Sequence, residues 1–193
     1  RVMAEVCQQL SRGELLEVEA RFRLALTEAE YLEIIRQKTA SLIGGCCQCG
    51  AFLGGCSPEA VEQLAAFGVN YGLAFQIVDD CLDLMGDPRK LGKSIHADLD
   101  RGAVSLPIIY LAQGLSARRR KQLFGPLVAS EHPDPASVAR IAEEARSSGA
   151  IARAQDRAKA FVHEARQAIA QVPLNGLGSA YQQLAEYAVT RRS

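Results

Sequence analysis

Four features are missing from this sequence of 193 residues, and each absence removes a class of protein. There is no excess of charge, since 22 Lys and Arg balance 22 Asp and Glu. Without a field over the whole molecule, a polyanion such as nucleic acid has nothing to steer it, and any anion must be held by local groups. No apolar run approaches the ~20 residues that span a bilayer, and no charged-then-apolar segment opens the chain as a secretory signal would. The expected compartment is the cytoplasm. Alternating apolar and polar runs bounded by turn residues are also absent, which argues against sheet. With 48% of its residues hydrophobic, the chain can bury a core, and the expectation is one all-α domain over residues 1–193.

Histidine is scarce, three in all. None lies near the group Cys46, Cys47, Cys49 and Cys56, whose first three members point in different directions on a helix. Zinc-type spacing is not met. Buried thiols serving as small apolar residues explain the cysteines more simply.

Helical spacing fills most of the chain. Val2 to Glu17 reads as one helix, relaxed at Gly13. Thr27 followed by Glu30 is a capping box that opens a second helix through about Phe52. Ser57-Pro58 starts a third, through Asn70, and a fourth runs from Tyr71 to about Leu84, stopped at Gly86-Asp87-Pro88. Arg89 to Gly102 reads as a loop rich in Gly, Lys and Asp. Helix resumes near Val104, with later helices over Ser116–Phe124, Asp134–Ser148, Ala150–Val172 and Leu177–Arg191. The chain opens at Arg1, inside what already reads as helix, so a preceding segment is expected.

The informative segment is the run from Gly72 to Met85, which holds Asp79, Asp80 and Asp83 in the pattern DDxxD. At 100° per residue, Gly72, Gln76, Asp79 and Asp83 share a stripe about 60° wide, with Asp80 at its margin. The rest of the circumference is apolar, so the helix is expected to be enclosed and its acids to face a cavity. Clustered carboxylates in such a place call for a positive partner. A hard cation with oxygen ligands, magnesium above all, takes one or two carboxylates and leaves its other positions to water and phosphate. A solvated acidic stripe is the competing reading. Lys38 shares a helix face with Tyr31, Ile34, Ile35, Leu42 and Gly45, while Glu33 and Arg36 lie opposite. Its ammonium either binds an anion or reaches water past an apolar stem. Lys93, in the loop after the acidic helix, is a second candidate for an anion.

These segments together resemble the trans-polyprenyl diphosphate synthase family. Phe75 to Asp83, then Gly86, Leu91-Gly92-Lys93, Asp98-Leu99, Gly102 and Leu106-Pro107 are similar to its second aspartate-rich motif and the loop beyond. Tyr31 to Thr39 resembles its lysine-threonine motif, and Ser11 to Glu14 and Leu184 to Arg192 resemble flanking segments. The resemblance implies an α-helical bundle of the isoprenoid synthase type, incomplete at its N-terminus, and a transferase that condenses an allylic diphosphate with isopentenyl diphosphate. It further implies that Asp79, Asp80 and Asp83 hold Mg2+, that Lys38, Lys93 and Gln76 meet diphosphate, and that Lys38, Thr39 and Gln76 sit near the reacting centre.

The family's first aspartate-rich motif and its isopentenyl-binding basic residues have no counterpart here. Ala103 stands where a further lysine is usual, Ser105 where a threonine is, and His96 replaces a small residue. The expectation is therefore a prenyltransferase part that is inactive alone and works as part of a longer chain or a homodimeric or heterodimeric assembly. The alternatives are a non-catalytic subunit of a hetero-oligomeric synthase and a class I terpene cyclase fragment, the Gly-Lys loop favouring the synthase.

Overall fold

The computed structural model describes residues 1–86, 96–129, 134–174 and 176–191, and among them every regular element is helical. Lys93 and the connection at 131–133 lie outside the described residues. The helices are α1 (Val2–Glu19), α2 (Glu28–Ile35), α3 (Ser41–Leu53), α4 (Pro58–Met85), α5 (Ala97–Asp100), α6 (Leu106–Gly114), α7 (Ala117–Val128), α8 (Pro135–Ser147), α9 (Ala150–Ala168) and α10 (Gly178–Thr190), with a π turn over Arg36–Ala40 joining α2 to α3. None of the described helices is long and apolar enough to cross a membrane.

Several starts are where local chemistry places them. The Thr27 hydroxyl accepts from the Glu30 amide at 3.2 Å while the Glu30 carboxylate accepts from the Thr27 amide at 2.8 Å, closing the capping box. Ser57, Ser116 and Asp134 each accept from the amide three residues on. These bonds satisfy donors that a helix N-terminus otherwise leaves open.

Helix α4 is the axis of the molecule. Its 28 residues extend about 42 Å at 1.5 Å per residue, and it packs against α3, α9, the π turn, α8 and α10. The expected break between Asn70 and Tyr71 does not occur. The glycines on either side are contact points, not stops. A Cβ on Gly68 would lie 2.8 Å from Gly44 Cα, and one on Gly72 would lie 2.6 Å from Ala40 Cα. Missing side chains thus let α3 and the π turn lie directly on α4. One core runs through the fold, with Phe67, Leu73, Ile77 and Leu84 of α4 fully enclosed beside Phe124 and Leu127 of α7 and Ile108 and Leu111 of α6.

Three further differences from the sequence reading have physical causes. The helix expected from Thr27 to Phe52 is interrupted by the π turn, in which the Ser41 amide donates to the Arg36 carbonyl five residues back. The extra residue in that turn rotates α3 about its axis, so Leu42 is 40% exposed and does not share the face of Tyr31 and Ile35. Gly13 does not relax α1. It is buried, and a Cβ there would lie 2.7 Å from Lys38 Cα. Inside the stretch read as a loop, α5 forms one turn whose entry residue, His96, takes a left-handed conformation (φ 64°) and is buried. Helix α7 also continues past Phe124 with Pro126 inside it, and α9 ends at Ala168, short of Val172.

Because Gly13 abuts backbone and not a flexible side chain, Gly13→Ala is expected to lower stability by about 1–3 kcal/mol, the usual range for overpacking. Urea denaturation followed by circular dichroism measures it, and an unchanged midpoint contradicts the close approach of α1 to the π turn.

Candidate functional site

A cavity of about 230 Å³ lies where α1, α2, the π turn, α4, α5 and the segment before α6 converge. Its wall carries Lys38, Tyr31, Gln76, Asp79, Asp80, Glu17, Asp98 and Ser105, over a floor that includes Leu26, Ile34 and Ile35.

Asp80 is the innermost acid. It is 7% exposed, and both of its oxygens are engaged, Oδ2 by the Tyr31 hydroxyl at 2.7 Å and Oδ1 by the Gln76 amide at 2.9 Å. Gln76 in turn accepts from the Thr39 hydroxyl at 2.9 Å. A continuous chain, Thr39 to Gln76 to Asp80 to Tyr31, thus ties the π turn and α2 to α4. Burial pushes the Asp80 carboxyl up to about 7, against the lowering effect of its two hydrogen bonds, with Asp98 and Asp79 adding repulsion. Burial also raises the Tyr31 hydroxyl, with the Asp80 charge adding to it.

Asp83 sits one turn further along α4 and does not line the cavity. Burial, then repulsion from Asp98, pushes its carboxyl up to about 6, while the backbone amides of Asp98 and Ala97 bind it and pull the other way. Those amides open α5, so Asp83 fastens the short helix to α4 and brings Asp98 to the cavity. The His96 ring nitrogen Nδ1 lies 3.2 Å from the Asp83 carbonyl, and burial lowers the imidazole's affinity for a proton. Asp98 is likewise raised by burial.

Asp79, with a side chain 54% exposed, is the open member of the triplet, and its carboxylate lies 3.2 Å from Arg191 of the C-terminal segment. Lys38 lies in the π turn, its ammonium 2.5 Å from Glu17 and 3.8 Å from Glu14 of α1. The structure therefore brings Lys38, Thr39, Gln76, Asp79 and Asp80 to one place. It sets Asp83 apart, and Gly72, grouped with the acids on the helical wheel, packs on Ala40.

Sequence reasoning missed the parts played by Glu17, Tyr31, Asp98 and Arg191. The cysteines were also misjudged, since Cys81 is buried while Cys7, Cys46 and Cys56 are exposed, all of them free thiols. Among the described residues no three His, Cys, Asp or Glu side chains converge tightly enough to enclose a metal.

The profile of the polyprenyl synthetase family matches residues 1–145. The chain belongs to that family. It is 33% identical over 173 residues to a geranylfarnesyl diphosphate synthase of Aeropyrum pernix, covering 90% of this chain and 53% of that protein. It is 30% identical over 187 residues to heptaprenyl diphosphate synthase component 2 of Geobacillus stearothermophilus, covering 97% and 57%. A crystal structure of a polyprenyl synthase from Caulobacter crescentus, complexed with calcium and isoprenyl diphosphate, superposes with a TM-score of 0.91 at 32% identity over all of this chain and 58% of that one. The chain spans about half the length of the curated relatives it matches.

The acid in the wall sets a pH dependence. Asp80 and Asp83 have folded-state values above their unfolded ones, so the folded chain binds more protons than the unfolded chain between about pH 4 and pH 7, and stability falls as pH rises through that window. The protein is expected to resist urea better at pH 5 than at pH 8, by more than about 1 kcal/mol. Asp80→Asn should remove most of that difference. A higher midpoint at pH 8 than at pH 5 contradicts the burial of an ionised Asp80.

Proposed function

We propose that this chain is the part of a prenyl-transferring synthase that holds the diphosphate of an allylic substrate during its condensation with isopentenyl diphosphate. The observation that carries this reading is the cavity itself, where Lys38, the Thr39-Gln76-Asp80-Tyr31 chain and the open carboxylate of Asp79 share one wall.

The donor set fits magnesium. It is all oxygen, and an ion that takes one or two carboxylates and fills its shell with water and phosphate does not need a closed cage. Asp79 offers accessible oxygens and is assigned as a direct ligand. Asp80 has both oxygens committed and is assigned to orient Gln76 and to contribute negative potential. Asp83 acts through water or through α5. The ion, when bound, stabilises charge on the departing diphosphate.

The chain's own residues do the rest. Lys38, held ready by Glu17, exchanges that partner for a diphosphate oxygen, and Lys93 is assigned the same task from the loop. Thr39 and Gln76, fixed by their mutual hydrogen bond, border the reacting carbon, and the apolar floor of Ile34, Ile35 and Leu26 keeps water from a developing carbocation.

A second carboxylate face and an isopentenyl site are required from elsewhere, in the same chain or a partner. The apolar residues left open support this. Leu15 and Val18 on α1 are 66% and 52% exposed, and Phe52 and Leu53 at the end of α3 are 74% and 83% exposed. The match to a heptaprenyl synthase component favours a hetero-oligomer as one form of that partnership. The compartment we assign is the cytoplasm.

Radiolabelled isopentenyl diphosphate followed into extractable lipid tests the reading. These 193 residues alone are expected to give no condensation with farnesyl diphosphate, and to give it when N-terminal helices of a related synthase are supplied. Removing a single preorganised contact costs on the order of 10²–10³ in rate, so Asp79→Ala in the active assembly should lose at least that much. Incorporation by the chain alone, or an Asp79→Ala assembly of full activity, contradicts the assignment.

A further inference from the structure

The C-terminal segment reaches the open acid of the site. Helix α10 ends at Thr190, and the next residue, Arg191, turns back across α4. Its Nη1 lies 3.2 Å from Asp79 Oδ1, its Nη2 donates to the Phe75 carbonyl at 2.7 Å, and its Cζ stands 3.8 Å above the Phe75 ring. The side chain is 13% exposed, and its Nε is buried with no hydrogen-bond partner.

A surface arginine would keep its rotamers and its water. This one has given up both, leaving one donor unsatisfied, which is unfavourable. A charge-assisted bond, a bond to a carbonyl with a spare lone pair and a stack on an aromatic face offset that loss. All three contacts fall on one turn of α4, between Phe75 and Asp79. Lys38, the cation across the cavity, is engaged by Glu17 and Glu14, so among the described residues Arg191 is the cation that meets Asp79.

We propose that Arg191 is the resident counter-cation of Asp79. It holds the carboxylate in place while no metal is bound and competes with a divalent cation for it, so that metal binding loosens the end of α10. This rests on the reading of Asp79 as a metal ligand. The competition falls on Asp79, the exposed acid of the triplet, because Asp80 is buried with a hydrogen bond on each oxygen and the α5 amides hold Asp83. A guanidinium and a divalent ion on the same carboxylate repel each other, and removing the guanidinium leaves the carboxylate to the ion.

The test uses Mn2+ alone, counted by loss of the free-ion electron paramagnetic resonance signal. Arg191→Gln is expected to tighten Mn2+ binding about fivefold, the equivalent of one partly exposed ion pair, and to have no effect when Asp79 is already Asn. In the parent protein, Mn2+ should speed amide exchange at Tyr187 to Thr190. Arg191→Lys keeps the charge without the planar stack, should tighten binding less, and serves if the neutral variant does not fold. Unchanged or weaker Mn2+ binding in Arg191→Gln at an unchanged melting temperature overturns the proposal, as does an equal effect in the Asp79→Asn background. Mn2+ binding to neither the parent nor the variant removes the reading of Asp79, and the proposal with it.

Discussion

A carboxylate buried in an apolar helix is the constraint on which the rest of this structure depends. Asp80 lies on a buried face of the central helix α4, and an acid placed there must either be neutral or be surrounded by donors. Tyr31 and Gln76 supply those donors. To reach Asp80, Tyr31 must sit on a helix packed against α4, and Gln76 must be fixed by Thr39 of the π turn. The close approach that makes this possible depends on glycine and alanine, at Gly72 against Ala40 and at Gly13 against Lys38.

Electrostatics then divides the triplet into three unlike groups. Asp80 is a buried framework acid with a hydrogen bond on each oxygen, Asp83 fastens α5, and Asp79 is open and paired with the C-terminal arginine. Charge in the cavity is cross-linked within the chain, Lys38 to Glu17 on one side and Arg191 to Asp79 on the other. Burial holds the carboxyls of Asp80, Asp83 and Asp98 above their ordinary values, and repulsion among the acids adds to it. On the proposed reading, a metal and a diphosphate would exchange ion pairs that are already formed.

The helical class was legible because its signals are local. Hydrophobic periodicity, a capping box at Thr27 and Ser57-Pro58 each depend on residues within one turn. The acidic motif and Lys38 were legible for the same reason. The features that escaped are those set by packing. No local pattern marks the π turn, which puts Lys38 and Leu42 on different faces. Gly13 read as a weak point in its helix and Gly72 as part of the acidic stripe, whereas these two and Gly68 are where other backbones arrive. A helical wheel placed Asp80 at the margin of the stripe, and only the position of α2 makes that margin the centre of the site. Glu17 and Arg191 meet the site from distant segments, so no spacing could have announced them.

The central claim is that Asp79 is the metal-facing member of the triplet, with Asp80 held behind it by Tyr31 and Gln76. Anomalous diffraction from crystals soaked in Mn2+ and inorganic pyrophosphate tests it most directly. The account predicts a peak about 2 Å from an Asp79 oxygen, with the Tyr31-Asp80-Gln76 bonds intact. A peak on Asp80 with those bonds broken, or none on α4, would contradict it.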